Sequence, residues 1–189
     1  MNEKTLSIAD YISIAAVVSG GISVVALLSS DIRISINFWI FSVVLDYLDG
    51  RFARKYGGSR YGPILDTLTD MVIFVIFPVM LLVQSSITPI KIFLSLAIIA
   101  FSVLRLSRYT VDGVVGMKGK KTHKGTTTLY HSFYIILLHF SSLLDNWVFV
   151  ISIFIPVILM PTQIKTPKIE NRLVVFIAVI LIAFLNNVQ

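Results

Sequence analysis

Long apolar runs alternate with short polar segments along this chain, and the length of the runs sets the first expectation. Taken in order, they cover Ile8 to Leu28, Ile34 into the Asp46–Arg54 region, Gly62 to Val83, Ile90 to Tyr109, Thr127 to Leu144, Trp147 to Met160 and Leu173 to Leu185. Several approach the roughly 20 residues that span a bilayer core of about 30 Å. The alternating period of a membrane β-barrel is absent, and lipid leaves backbone groups no partner outside a helix. The expectation is an all-α integral membrane protein, a polytopic bundle of about six to seven transmembrane helices forming one domain over 1–189. The run at 147–160 is short for a full span. Gly20 and Gly21 would let a neighbouring helix come close to the first run, and Pro78 would kink the third.

Composition strengthens the membrane reading over a soluble bundle. Hydrophobic residues make up 56% of the chain and charged ones only 14%, against about a quarter charged in soluble domains. The net charge of +6 does not imply a nucleic-acid partner, because the 16 Lys and Arg cluster in short loops between apolar runs. Such loops decide membrane orientation. With the N-terminus in the cytoplasm, every Lys and Arg except Arg33 and Lys91 falls on the inner side. The absence of cysteine excludes disulfides and thiolate metal sites. The opening MNEKTLSIADY carries acids early and has no small-residue cleavage site, so no signal peptide is expected.

One stretch carries chemistry. DYLDGRFARKYGGSRYGPILDTLTD, from Asp46 to Asp70, places carboxylates at 46, 49, 66 and 70 between apolar runs. An acid at the centre of a membrane helix costs roughly 2.5–3.5 kcal/mol on insertion scales, so four of them call for a compensating cation. At 100° per residue, Asp46, Asp49, Gly50, Ala53 and Gly57 share one stripe spanning about 100°, and Gly62, Asp66, Thr69 and Asp70 share another. Both stripes meet the same loop, 55–61, so they can face one cavity. Oxygen donors without nearby His or Cys suit Mg²⁺ or Mn²⁺ rather than Zn²⁺, and a pair of such ions would clamp a phosphoryl group. Simple ion pairing with Arg51 and Arg54 would account for Asp46 and Asp49 but not for Asp66 and Asp70.

Asp46-x-x-Asp49-Gly50-x-x-Ala53-Arg54, seven residues, Gly62-x-x-x-Asp66-x-x-x-Asp70 fills every fixed position of a known signature. It resembles that of the CDP-alcohol phosphatidyltransferases. The resemblance implies a homodimeric membrane enzyme with two divalent cations, Mg²⁺ or Mn²⁺, in a site that faces the cytoplasm from the cytoplasmic membrane. It implies that Asp46, Asp49, Asp66 and Asp70 hold the metals, and that Gly50, Ala53, Arg54 and Gly62 shape the CDP-lipid pocket. Asp70 would also be the catalytic base that takes the acceptor hydroxyl's proton.

The acceptor alcohol is not written in that signature, and softer matches bear on it. Arg105-Leu106-Ser107-Arg108-Tyr109, Lys124 to Thr128, and Leu159-Met160 followed by Ile164 and Pro167-Lys168 are similar to elements of the phosphatidylserine synthase branch. The opening SIADYIS is similar to archaeal members. These matches imply transfer of a diacylglyceryl or archaeol phosphatidyl-type group to L-serine, with release of CMP. Arg105 and Arg108, one turn apart, are candidates for binding the serine carboxylate or a phosphate. Glycerol phosphate and inositol phosphate are the alternative acceptors. An ion carrier is the alternative from another class, and it would spread its acids across the bilayer. The Lys118–Lys124 run reads as a solvated loop attracted to anionic headgroups. His131 and His139 read as bundle-facing residues with hydrogen-bond partners.

Overall fold

A computed structural model describes residues 6–84, 86–115, 123–124, 128–159 and 165–166. Among these the chain is helical throughout, apart from turns and one two-residue antiparallel pairing of β1 (His123–Lys124) with β2 (Lys165–Thr166). Helix α1 runs over Ile8–Leu28 and α2 over Ile32–Tyr56. Helix α3 covers Gly62–Gln84, α-helical over Gly62–Met71 and Phe77–Gln84 with a π-helical turn at Val72–Ile76 between them. Helix α4 is Pro89–Val115, α5 Thr128–Phe140, α6 Trp147–Ser152 and α7 Phe154–Leu159.

Among the described residues, three helices are long and apolar enough to cross a membrane: Ile8–Leu28, Gly62–Gln84 and Pro89–Arg108. Their outward faces carry Val18, Val25, Leu68, Phe93 and Leu96, all exposed, as lipid-facing positions require. The expected run at 147–160 is two short helices with a turn at Ile153 rather than one span. The fourth helix continues six residues past the expected Tyr109, into the segment read as basic loop. The fifth helix closes at Phe140, four residues before the expected Leu144. The last apolar run, Leu173 to Leu185, lies outside the described residues, as do Lys118 and most of the lysine loop.

Serine hydroxyls hold α1 to α2. Ser19 donates to the Phe38 carbonyl at 2.9 Å and Ser35 to the Ser23 carbonyl at 2.7 Å. In lipid, where hydrophobic attraction between helices fades, such small polar residues let backbones approach and bind them. Gly20 serves the same close approach, since a Cβ there would sit 3.0 Å from Val72 Cγ1. Gly21 faces open space, so only one of the two glycines does what the sequence suggested.

Trp39 of α2 is the centre of the core, with no exposed surface. It stacks on Phe77 with centroids 5.7 Å apart and meets Phe133 edge-on at 5.4 Å. Pro78 lacks the N–H that would serve the carbonyl four or five residues back. The irregularity sits just before it, as a π turn, and two side chains repair the ladder. Trp39 Nε1 donates to the Ile73 carbonyl at 2.8 Å, and the Ser132 hydroxyl donates to the Phe74 carbonyl at 2.5 Å. Repair of this kind is what makes a broken helix tolerable at membrane depth.

Candidate active site

All four acids of the signature lie at one end of the bundle. Helix α2 ends at Gly57, whose φ of 87° only a residue without a Cβ adopts freely, and whose N–H caps the Ala53 carbonyl at 3.0 Å. Loop 57–61 reverses the chain, and Pro63 starts α3 where a missing N–H does no harm. The last turns of α2 therefore stand beside the first turns of α3. The N-terminus of α1 and the C-terminal part of α4 reach the same end.

Asp46, Asp49 and Asp66 each place a carboxylate oxygen within 4.8 Å of the others. Asp49 is buried and accepts the Ser13 hydroxyl from α1, while Asp46 Oδ1 is buried without a hydrogen-bond partner. Two like charges 4 Å apart repel by about 4 kcal/mol at an effective dielectric of 20. Three crowded carboxylates, one with an orphaned oxygen, fit a bound divalent cation that supplies the missing positive charge. Asp70, one turn deeper along α3, stands outside this set of three. It lies within electrostatic reach of all three and of Arg105.

Beside the acids opens a cleft of about 570 Å³. Gly50, Ala53, Arg54 and Gly62, the four residues expected to shape a donor pocket, all line it together with Asp49 and Asp66. The Arg54 guanidinium folds back over Gly50, where an added Cβ would lie 3.3 Å from Nη1. Arg51 and Lys55 instead lie over the rings of Tyr47 and Tyr56. Asp10 and Ser13 of α1, Ser59 of the loop and Thr110 of α4 also line it, and none of them belongs to the signature. Asp10 had a local signal, the Ser7-x-x-Asp10 capping box that starts α1. Ser13 and Thr110 had none. Thr110 is fixed in place by its 2.6 Å hydrogen bond with Thr67 of α3.

The two arginines of α4 part company. Arg105 is half-buried and within electrostatic reach of Asp70, whereas Arg108 is exposed. His131 is fully buried, and its nearest polar neighbour is the Phe74 carbonyl, which lies outside good hydrogen-bond geometry for either ring nitrogen. His139, half-buried, packs edge-on against Phe140. Of the branch-specific segments, Met160, Ile164 and Pro167-Lys168 lie outside the described residues, as do Gly125 to Thr127.

The sequence profile of the CDP-alcohol phosphatidyltransferases matches residues 6–159, most of the chain and the whole of this site. The chain belongs to that family. It is thus a membrane transferase that acts on a CDP-lipid donor and an alcohol acceptor. Two archaeal relatives are similar in sequence. The CDP-diacylglycerol–serine O-phosphatidyltransferase of Methanocaldococcus jannaschii is 27% identical over 177 residues, 92% of this chain and 80% of the relative. The archaetidylserine synthase of Methanothermobacter thermautotrophicus is 28% identical over 120 residues, 59% of this chain and 52% of the relative.

Proposed function

We propose that this phosphatidyltransferase uses L-serine as its acceptor: a phosphatidyl-type group passes from a CDP-lipid to the serine hydroxyl, and CMP is released. The observation that carries the transfer chemistry is the meeting of Asp46, Asp49 and Asp66 beside a cleft that Asp49 and Asp66 line together with Gly50, Ala53, Arg54 and Gly62. Both archaeal relatives, by their names, make serine phospholipids.

Asp46, Asp49, Asp66 and Asp70 would hold two divalent cations, Mg²⁺ or Mn²⁺. When bound, these supply charge neutralisation at the diphosphate and make CMP a better leaving group. Arg54 binds a phosphate oxygen from the cleft side, and the small residues Gly50, Ala53 and Gly62 let the diphosphate approach the backbone. Asp70 takes the proton of the serine hydroxyl as its oxygen attacks the phosphorus bearing the lipid. The new P–O bond forms as the bond to CMP breaks, and CMP departs with the electron pair. Ordinary carboxylates are weak bases toward an alcohol, so the proton moves within the transition state rather than before it. Arg105, within reach of Asp70, pairs with the serine carboxylate.

The cleft faces the cytoplasm, where nucleotide and serine arrive, and two copies associate in the cytoplasmic membrane. A phosphorylated acceptor is the competing reading, because Arg105 and the exposed Arg108 stand one turn apart at the same end. An ion-transport path is disfavoured by acids gathered at one end of two helices. Labelled serine given to membranes with CDP-lipid and Mn²⁺ should enter the lipid extract. Label that stays in the aqueous phase while CDP-lipid is consumed excludes serine as the acceptor.

A further inference from the structure

Asp10 is an acid of this cleft that the metal set does not use. It is 1% exposed, stands on the first turn of α1, and lines the same cavity as Asp49, Asp66 and Arg54. Its Oδ2 accepts the Ser7 N–H at 2.5 Å, and the Ser59 side chain lies next to the same carboxylate. A Cβ added at Gly62 would sit 3.6 Å from Asp10 Oδ1, so the start of α3 runs directly past it. A carboxylate has about four acceptor positions, more than these neighbours use, and Asp10 is among the residues that line the cleft.

Charge decides what can lie there. A diphosphate must sit where cations gather, at the Asp46–Asp49–Asp66 cluster and Arg54, because an anion against a buried carboxylate is repelled. The Asp10 part of the cleft is left for a neutral portion of the donor that offers N–H or O–H groups. In a CDP-lipid only the nucleoside answers to that description, through its ribose hydroxyls or the exocyclic amine of cytosine. We infer that Asp10 is a nucleoside-reading residue of the donor site, accepting a hydrogen bond from the cytidine and held in place by Ser7 and Ser59. The inference rests on the proposed donor site but not on the identity of the acceptor.

The test compares binding of CDP, dCDP and UDP to the purified protein in detergent with Mn²⁺, for the wild type and for Asp10→Asn, Asp10→Ala and Ser7→Ala. Binding of nucleotide alone needs no acceptor, so failure of the serine reading leaves this test intact. A hydrogen bond to a charged acceptor makes a difference of roughly 10- to 100-fold. The wild type should therefore prefer CDP over dCDP if the ribose 2′-hydroxyl is the donor, or CDP over UDP if the amine is. Asp10→Ala should erase that preference, and Asp10→Asn should shrink it. Ser7→Ala breaks the capping box but keeps the carboxylate, so it should lower the thermal midpoint and retain the preference. Equal loss of all three nucleotides in the Asp10 variants, with discrimination unchanged, overturns the inference and leaves Asp10 a structural cap. So does a wild type that binds these three nucleotides and 3′-deoxy-CDP alike.

Discussion

The Ser13 hydroxyl of α1 donates to the carboxylate of Asp49 on α2, so the first helix sets the orientation of an acid that the signature assigns to metal. The Ala9 carbonyl, 3.1 Å from the same Oγ, is the other acceptor within reach of its single proton. Partners that orient a metal-binding carboxylate typically change metal affinity or activity 10- to 100-fold when removed, as an order of magnitude. Ser13→Ala should therefore raise the Mn²⁺ concentration needed for half-maximal CMP release by about tenfold, with the thermal midpoint nearly unchanged. An unchanged metal requirement would mean that Asp49 needs no such support.

The acids themselves should be intolerant of neutralisation. Asp46→Asn, Asp49→Asn and Asp66→Asn each remove a charge from a cluster whose oxygens lie within 4.8 Å of one another. Turnover should fall by at least about a thousandfold in each, consistent with loss of charge stabilisation at a reacting phosphate. Chelation with EDTA should silence the wild type, and added Mn²⁺ or Mg²⁺ should restore it.

Asp70 should separate binding from chemistry. It stands one turn deeper than the close trio, in reach of Arg105. Asp70→Asn should keep measurable CDP-lipid binding while turnover is lost. Near-wild-type rates in folded Asp70→Asn protein would remove it from the role of base.

Two positions test the packing that holds the site. Gly20→Leu forces side-chain atoms into Val72, whose Cγ1 lies 3.0 Å from the nearest added carbon, and should destabilise the bundle by about 1–3 kcal/mol. Gly21→Leu points into open space and should leave stability alone. Ser132→Ala strips the Phe74 carbonyl of its hydroxyl donor beside Pro78 and should cost about 1–3 kcal/mol. Thermal unfolding in detergent reads all three.

Much of this was legible in the run lengths and spacings. The first helix begins and ends where the apolar run does, and the carboxylate spacing brings Asp46, Asp49 and Asp66 together with the four pocket residues. Those features are local, set by helical period and by the turn at Gly57. What escaped is long-range. Nothing in the sequence marks Ser13 as the partner of an acid 36 residues away, or Thr110 as a cleft residue held by Thr67. Pro78 announced a disturbance in α3, but its form, a π turn repaired by Trp39 and Ser132, depends on side chains from two other helices. Arg105 and Arg108 look equivalent by spacing, and only the packing of α4 against α3 turns one of them toward Asp70.

The central claim is the acceptor. Purified protein with Mn²⁺ and a CDP-lipid, offered serine, glycerol phosphate and inositol phosphate one at a time, should release CMP with serine alone. Release with a phosphorylated acceptor and none with serine would contradict the account, and no release with any of the three would contradict the transferase site itself.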